Sequence, residues 1–137
     1  MPRKFAQYQR MFAVPSRKLP SPKRALLCVS KIGATATFHD PCQIVRRGGL
    51  EAAARRVLAA LGFELIELQD HGVTGVCCGG GGGVVSNQRA APLRHKVFEL
   101  KKQQVEATGA EHFVTSCGQC LITLEMGAKH AQWDRHP

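Results

Sequence analysis

Five of the six cysteines in this chain of 137 residues fall into three groups: Cys42 alone, Cys77 with Cys78, and Cys117 with Cys120. In a reducing compartment, thiols grouped in this way more often bind metal or carry redox chemistry than staple a fold. A cluster or soft metal ion needs several thiolates on backbone able to bend closely around it. The residues beside these cysteines supply that backbone. Gly79, Gly80, Gly81, Gly82 and Gly83 follow Cys78 without a side chain among them, so the chain there can adopt positive φ and bring N–H groups up to a bound ion or to sulfide. Cys117-Gly118-Gln119-Cys120 sets two thiols one turn apart at the start of a helix, where the dipole favours the thiolate. Cys42, Cys77, Cys78, Cys117 and Cys120 are therefore the candidate ligands of a metal site, above all of an iron–sulfur cluster, and residues 79–83 are the loop around it.

Three rival chemistries compete for these residues. A nucleotide loop fails on its third glycine, because Val84 and Val85 stand where Gly79-x-Gly81 or Gly80-x-Gly82 would be completed, and no Gly-Lys-Ser/Thr follows. A thiol–disulfide oxidoreductase suits a CxxC between a strand and a helix but leaves Cys42, Cys77, Cys78 and the glycines without a role. A structural zinc site needs four thiolates in a tetrahedron, which the spacing allows. Around the cysteines, Arg46 and Arg47 follow Cys42 closely enough to reach the pocket mouth and offset a cluster's charge. His39 adjoins the site and could hydrogen-bond a sulfur, although a strand-end histidine is more often satisfied by backbone. Cys28, inside an apolar run, reads as core. His71 lies near the glycine loop, and His95, His112, His130 and His136 read as surface.

These side chains need elements to hold them. Residues 25–30 form one short apolar run and residues 34–38 another, with β-branched Thr35 and Thr37, so one or both are strands. Pro41 forces Asp40 into an extended conformation and helps stop the strand. Residues 50–61 place Leu50, Ala53, Ala54, Val57, Leu58 and Leu61 on one face of a helix that Gly62 ends. Residues 63–68 read as a second strand and residues 72–83 as a loop. Ser86 or Asn87 caps a helix running to about Thr108, with Gly109 behind it; residues 112–115 form a third strand and residues 121–129 a last helix. Strands and helices that alternate in this way predict an α/β fold, a small Rossmann-like three-layer domain with a parallel sheet, and ligands gather at the carboxyl ends of such strands. Cys42, the Cys77-Cys78 pair and Cys117 all fall on the loops at those ends.

The net charge of +9 misleads about partners. Eight of the 19 lysines and arginines lie in residues 1–39, where no acidic residue occurs, which leaves the body close to neutral and removes the basic face that nucleic-acid binding needs. No apolar run is long enough to span a bilayer. The N-terminus has no secretory h-region, so the setting reads as cytoplasmic. Residues 1–33 are a basic, Pro-containing extension or a truncated linker, and residues 34–137 are the metal-binding domain.

Cys42, the Cys77-Cys78-Gly79 triplet and the Cys117/Cys120 pair, spaced C-x34-CC-x38-CxxC, resemble the cysteine-rich CCG domain. That domain occurs in the B-type and D-type components of heterodisulfide reductases, the iron–sulfur subunit of glycolate oxidase and lactate-utilisation iron–sulfur proteins. FHDPCQIVRRGG, VCCGGGGGVVSN and TGAEHFVTSCGQCLITLE are similar to its three motifs, and together the resemblance covers about residues 34–133. It implies that the five cysteines hold a [4Fe-4S] cluster, which in heterodisulfide reductases is non-cubane and cleaves a disulfide in one-electron steps; other members of the wider family hold zinc at the same cysteines. The chain departs from the reductases by carrying one CCG motif instead of two, and it lacks their CxxCxxCxxxC ferredoxin-type segment. The resemblance thus implies ferredoxin-type or flavin-containing partner subunits or domains, peripheral membrane association only through a partner, and a chain that is part of a larger oxidoreductase and inactive alone.

Overall fold

The computed structural model describes residues 32–134; most of the basic extension, the apolar run at residues 25–30, Cys28 and His136 lie outside them. Three parallel strands form the sheet. β1 (Thr35–His39) is central, with β2 (Glu64–Leu65) on one side and β3 (His112–Thr115) on the other. Thr35 and Ala36 lie opposite Glu64 and Leu65, and the β1–β3 pairing runs from Ala36 opposite His112 to His39 opposite Thr115. Ile32 and Gly33 already belong to the fold, since their N–H groups donate to the carbonyls of Leu61 and Gly62.

The helices are α1 (Glu51–Ala60), α2 (Ala91–Thr108) and α3 (Gly118–His130). α1 connects β1 to β2, and α2 crosses from β2 to β3 on the far side of β1, which gives the α/β architecture its parallel order. Alternation along β1 shows that both faces are covered, because adjacent strand residues point oppositely. Phe38 lies beneath the Arg55 guanidinium of α1, 5.9 Å from its ring centre, whereas His39 meets Cys120 of α3. All residues of β1 from Ala36 to His39 are buried. The main core lies on the α2–α3 side, where Phe98, Val105, Phe113, Leu124, Ala128 and Trp133 pack together. Phe98 and Trp133 meet edge-on at 5.8 Å. Gly127 lets α3 approach α2 closely, since a Cβ there would enter the Phe98 ring.

Element boundaries differ from the expected ones for local reasons. β2 keeps two of its six expected residues: among the described residues only β1 lies beside it, and Glu67 turns to Arg55. The segment read as a loop contains a short 3-10 turn at Gly72–Thr74. Asn87 caps a 3-10 turn, Gln88–Ala90, by accepting the Arg89 N–H at 3.0 Å, and α2 starts only after it. Gly109, at φ +64°, ends α2 as expected. The last helix begins at Gly118 rather than at residue 121, so the CxxC occupies its first turn.

Candidate metal centre

Each cysteine sits where a strand hands over to the next element. β1 ends at His39, after which Asp40 and Pro41 lead to Cys42, the residue ahead of a π-helical turn at Gln43–Arg47. Cys77 and Cys78 close the long connection from β2, and Cys117 precedes α3, whose first turn carries Cys120. All five thiols are free, with Cys78 and Cys120 buried and Cys42, Cys77 and Cys117 half-buried. One nitrogen of His39 and the sulfurs of Cys78 and Cys120 lie within 4.8 Å of one another. Cys77 and Cys117 pack against the same core, and Cys77 senses the charge of Cys42. The fold therefore draws donors from three loops to one end of the sheet, densest around His39, Cys78 and Cys120.

The thiols share protons unequally. Cys120 donates its S–H to the Cys78 sulfur, which lowers the Cys78 thiol far below the usual range against the opposing effect of burial; His39 and the Gly80 N–H add to the lowering. Cys120 is pushed up by the same shared proton and by burial. Burial also raises Cys77, partly offset by the Gly79 N–H, which donates to its sulfur at 3.4 Å. Gly79 takes φ +81° to make that approach, and a Cβ on Gly80 would strike the Thr123 hydroxyl. Gly81, Gly82 and Gly83 stand apart from this cradle, with open space around each. Only the first two glycines are thus shown against the thiols.

His39 departs from expectation. Its ring is not satisfied by backbone: the residue is 1% exposed, and neither ring nitrogen has a hydrogen-bond partner. Its backbone is occupied in the sheet, with its carbonyl also accepting the Thr115 hydroxyl at 3.3 Å, while the ring points at the thiols. A buried imidazole left open beside soft sulfur donors is a donor set that fits a thiophilic metal ion or cluster. Arg46 is tied to backbone. It donates to the carbonyls of Val73 at 2.9 Å and Gly75 at 2.6 Å and so braces the loop leading to Cys77. Arg47 is exposed and reaches Gln43 Oε1 at 3.3 Å. Of the other histidines, His71 bonds the Leu68 carbonyl at 2.9 Å, His112 packs edge-on to Phe63, and His95 stacks on His130 at 3.5 Å.

Two features escaped the sequence reading. Asp40, one residue before Pro41, receives a two-pronged bond from Arg55 at 2.9 Å on each oxygen and the Gly72 N–H at 2.6 Å. Burial would raise the Asp40 carboxyl, but Arg55 and Gly72 outweigh it and hold it below its ordinary value. Arg55 also grips Glu67, so one guanidinium ties the start of the Cys42 loop to the connection that carries Cys77 and Cys78. The second feature is Lys101, buried in α2 with 1% exposure. Its ammonium donates to Gln104 Oε1 at 3.2 Å, and Gln104 donates to Asp70 at 2.6 Å. Burial pushes Lys101 down to about 8, opposed by the charges of Asp40, Asp70, Cys77 and Cys78. A lysine three residues after Phe98 and four before Val105, inside an otherwise inward-facing stripe, is the sequence signal for it.

Comparison with known proteins places this chain in a family. The family profile described as CCG, a cysteine-rich domain, matches residues 36–125. A probable membrane-anchored ferredoxin of Chromohalobacter salexigens is 42% identical over 89 residues, which is 65% of this chain and 13% of that protein. The EtfAB:quinone oxidoreductase of Syntrophomonas wolfei is 31% identical over 106 residues, 74% of this chain and 15% of its own. The probable iron-sulfur-binding oxidoreductase FadF of Bacillus subtilis is 32% identical over 96 residues, 69% of this chain and 13% of its own. The chain thus spans less than a fifth of the length of the curated relatives it matches. No solved structure matches it.

Proposed function

The chain belongs to the CCG cysteine-rich domain family, and from that premise we propose that it is the cluster-binding module of an iron–sulfur oxidoreductase. The observation that carries this reading is the buried meeting of His39, Cys78 and Cys120 within 4.8 Å, with Cys77 and Cys117 on the same core. In this proposal Cys42, Cys77, Cys78, Cys117 and Cys120 hold a [4Fe-4S] cluster, of the non-cubane kind when all five ligate. The bound cluster supplies one-electron transfer. The chain's own residues do the rest. Gly79 and Gly80 aim N–H groups at sulfur, which favours the more negative state. Phe98, Phe113 and Leu124 keep water from the inner face. The first turn of α3 points its dipole at Cys117 and Cys120.

The relatives named as ferredoxin, quinone oxidoreductase and iron-sulfur-binding oxidoreductase support an electron-transfer role within a larger assembly. Ferredoxin-type or flavin-containing subunits or domains are the partners proposed, and a disulfide or a hydroxy acid is the terminal substrate class. Among the described residues no helix is long and apolar enough to cross a membrane; in this proposal any contact with a membrane comes through a partner. A cytoplasmic setting suits the free thiols.

A second reading has a specific observation behind it. An imidazole nitrogen grouped with two thiols is the beginning of a tetrahedral zinc site, which one more cysteine would complete. Anaerobic purification, followed by iron, zinc and acid-labile sulfide analysis with EPR of the reduced protein, decides between them. Stoichiometric sulfide with a paramagnetic reduced state supports the cluster, and zinc without sulfide sinks it.

A further inference from the structure

Lys101 stands where the core of this fold calls for an apolar side chain. α2 turns Phe98, Lys101 and Val105 inward, and Lys101 is as buried as Val105. An ammonium in such a place demands a countercharge. Its hydrogen bond to Gln104 supplies a dipole but no charge. Among the described residues the ion pairs belong to Arg55, not to Lys101. Of the negative groups that act on Lys101, Asp40 is already paired with Arg55, and Asp70 is bonded by the Gln104 amide rather than by the ammonium. Cys77 and Cys78 remain: Cys78 lies in the same core cluster as Phe98 and Val105, which flank Lys101 on the inward stripe of α2, and Cys77 packs against that cluster; both are candidate ligands. Thiolates around a zinc ion or a [4Fe-4S] core outnumber its positive charges, so a loaded centre is anionic.

We propose that Lys101 is the buried countercation of the cysteine centre, a fixed positive charge behind Cys77 and Cys78 that strengthens metal retention and makes a bound cluster easier to reduce. The proposal rests on the metal-centre reading above. It assigns Lys101 a positioning role through charge, with no contact to a reacting atom. Removing a positive charge near an anionic centre disfavours its more negative, reduced state, so loss of Lys101 lowers the potential.

Lys101→Met keeps the stem and removes the charge. Two measurements on the full chain test the idea: a cobalt(II) titration of the metal-free reduced protein, read by thiolate-to-cobalt absorption, and a dithionite titration followed by EPR after anaerobic reconstitution with iron and sulfide. The expected results are an affinity for cobalt about tenfold weaker, and a one-electron equilibrium shifted about tenfold towards the oxidised state, equivalent to a fall of about 59 mV. The metal-free variant melts higher than the metal-free parent, because its core no longer holds an uncompensated charge. Asp70→Asn leaves cobalt affinity and potential unchanged. If K101M matches the parent in both, or if D70N reproduces its effects, the countercation assignment is wrong. If the parent binds cobalt more tightly than K101M yet takes up no iron–sulfur cluster, the cluster reading fails and the role of Lys101 stands. Should K101M not fold, Lys101→Gln is judged by the same criteria.

Discussion

Replacing Arg55 with methionine removes five hydrogen bonds at once, and their cost is concentrated at one acceptor. The guanidinium meets both oxygens of Asp40, both oxygens of Glu67 and the Glu51 carbonyl. The Asp40 side chain is 1% exposed and that of Glu67 is 32% exposed. The Glu67 pair is wet enough to contribute no more than about 1 kcal/mol. Stripping one partner from a buried pair costs roughly 3–5 kcal/mol, and because Arg55 retains 18% exposure the lower end applies. A loss of about 3 kcal/mol is a large share of the roughly 5–15 kcal/mol that holds a small domain together, and it corresponds to a fall in Tm of roughly 12–24 °C.

The pH dependence gives this prediction its sign. Asp40 is held below its ordinary value of 3.8 when Arg55 is present, so its contribution is fully present above that value and is lost as pH falls through the lower, folded one. Without Arg55, burial prevails and raises the carboxyl, so the variant is penalised for ionising Asp40 and recovers as the group protonates. Urea unfolding of the metal-free chain should therefore show the gap between parent and R55M widest near pH 7 and narrowing towards pH 4. A gap below about 1 kcal/mol at neutral pH, or one that does not change with pH, would refute the reasoning.

Two further outcomes follow from the packing. His39→Leu removes two buried ring nitrogens that lack partners but also the pull of the imidazole on the Cys78 thiol, so the metal-free chain should gain no more than about 1–3 kcal/mol while retaining metal less well; thermal melts with and without bound metal read both effects. Gly127→Ala drives a Cβ into the Phe98 ring, and the overpacking should cost about 1–3 kcal/mol against a helix-propensity gain of about 1 kcal/mol. F98L in the same chain should recover part of the loss in a denaturation series.

Much of the architecture was legible because it rests on period and punctuation. The apolar stripe of residues 50–61 and Gly62 located α1, Gly109 ended α2, and the strand–helix alternation placed the cysteines at the strand ends. What was not legible depends on distant neighbours. β2 is short because it has one neighbour among the described residues and because Glu67 leaves the ladder for Arg55, 12 residues earlier on another element. Asp40 looked like a strand stop, and its partner is 15 residues away. Lys101 was not legible because its charge breaks the apolar spacing of the stripe it belongs to. His39 held a usable signal: in period-2 alternation with Phe38, its ring must face opposite α1, towards the side where the thiols gather.

The central position of β1 governs when the site can come into being. The Thr115 hydroxyl reaches the His39 carbonyl across a separation of 76 residues, so the β1–β3 pairing is among the most distant closures in the described chain. Such closures come late and slow a folding reaction. Before it, the five proposed ligands would present a metal with Cys42 alone, an adjacent pair, Cys77-Cys78, and a one-turn pair, Cys117 with Cys120, each a poor competitor for it. For the proposed centre, loading would therefore be gated by topology: metal delivered to a nascent or unfolded chain would meet fragments of the proposed ligand set, and the closed sheet would present the whole.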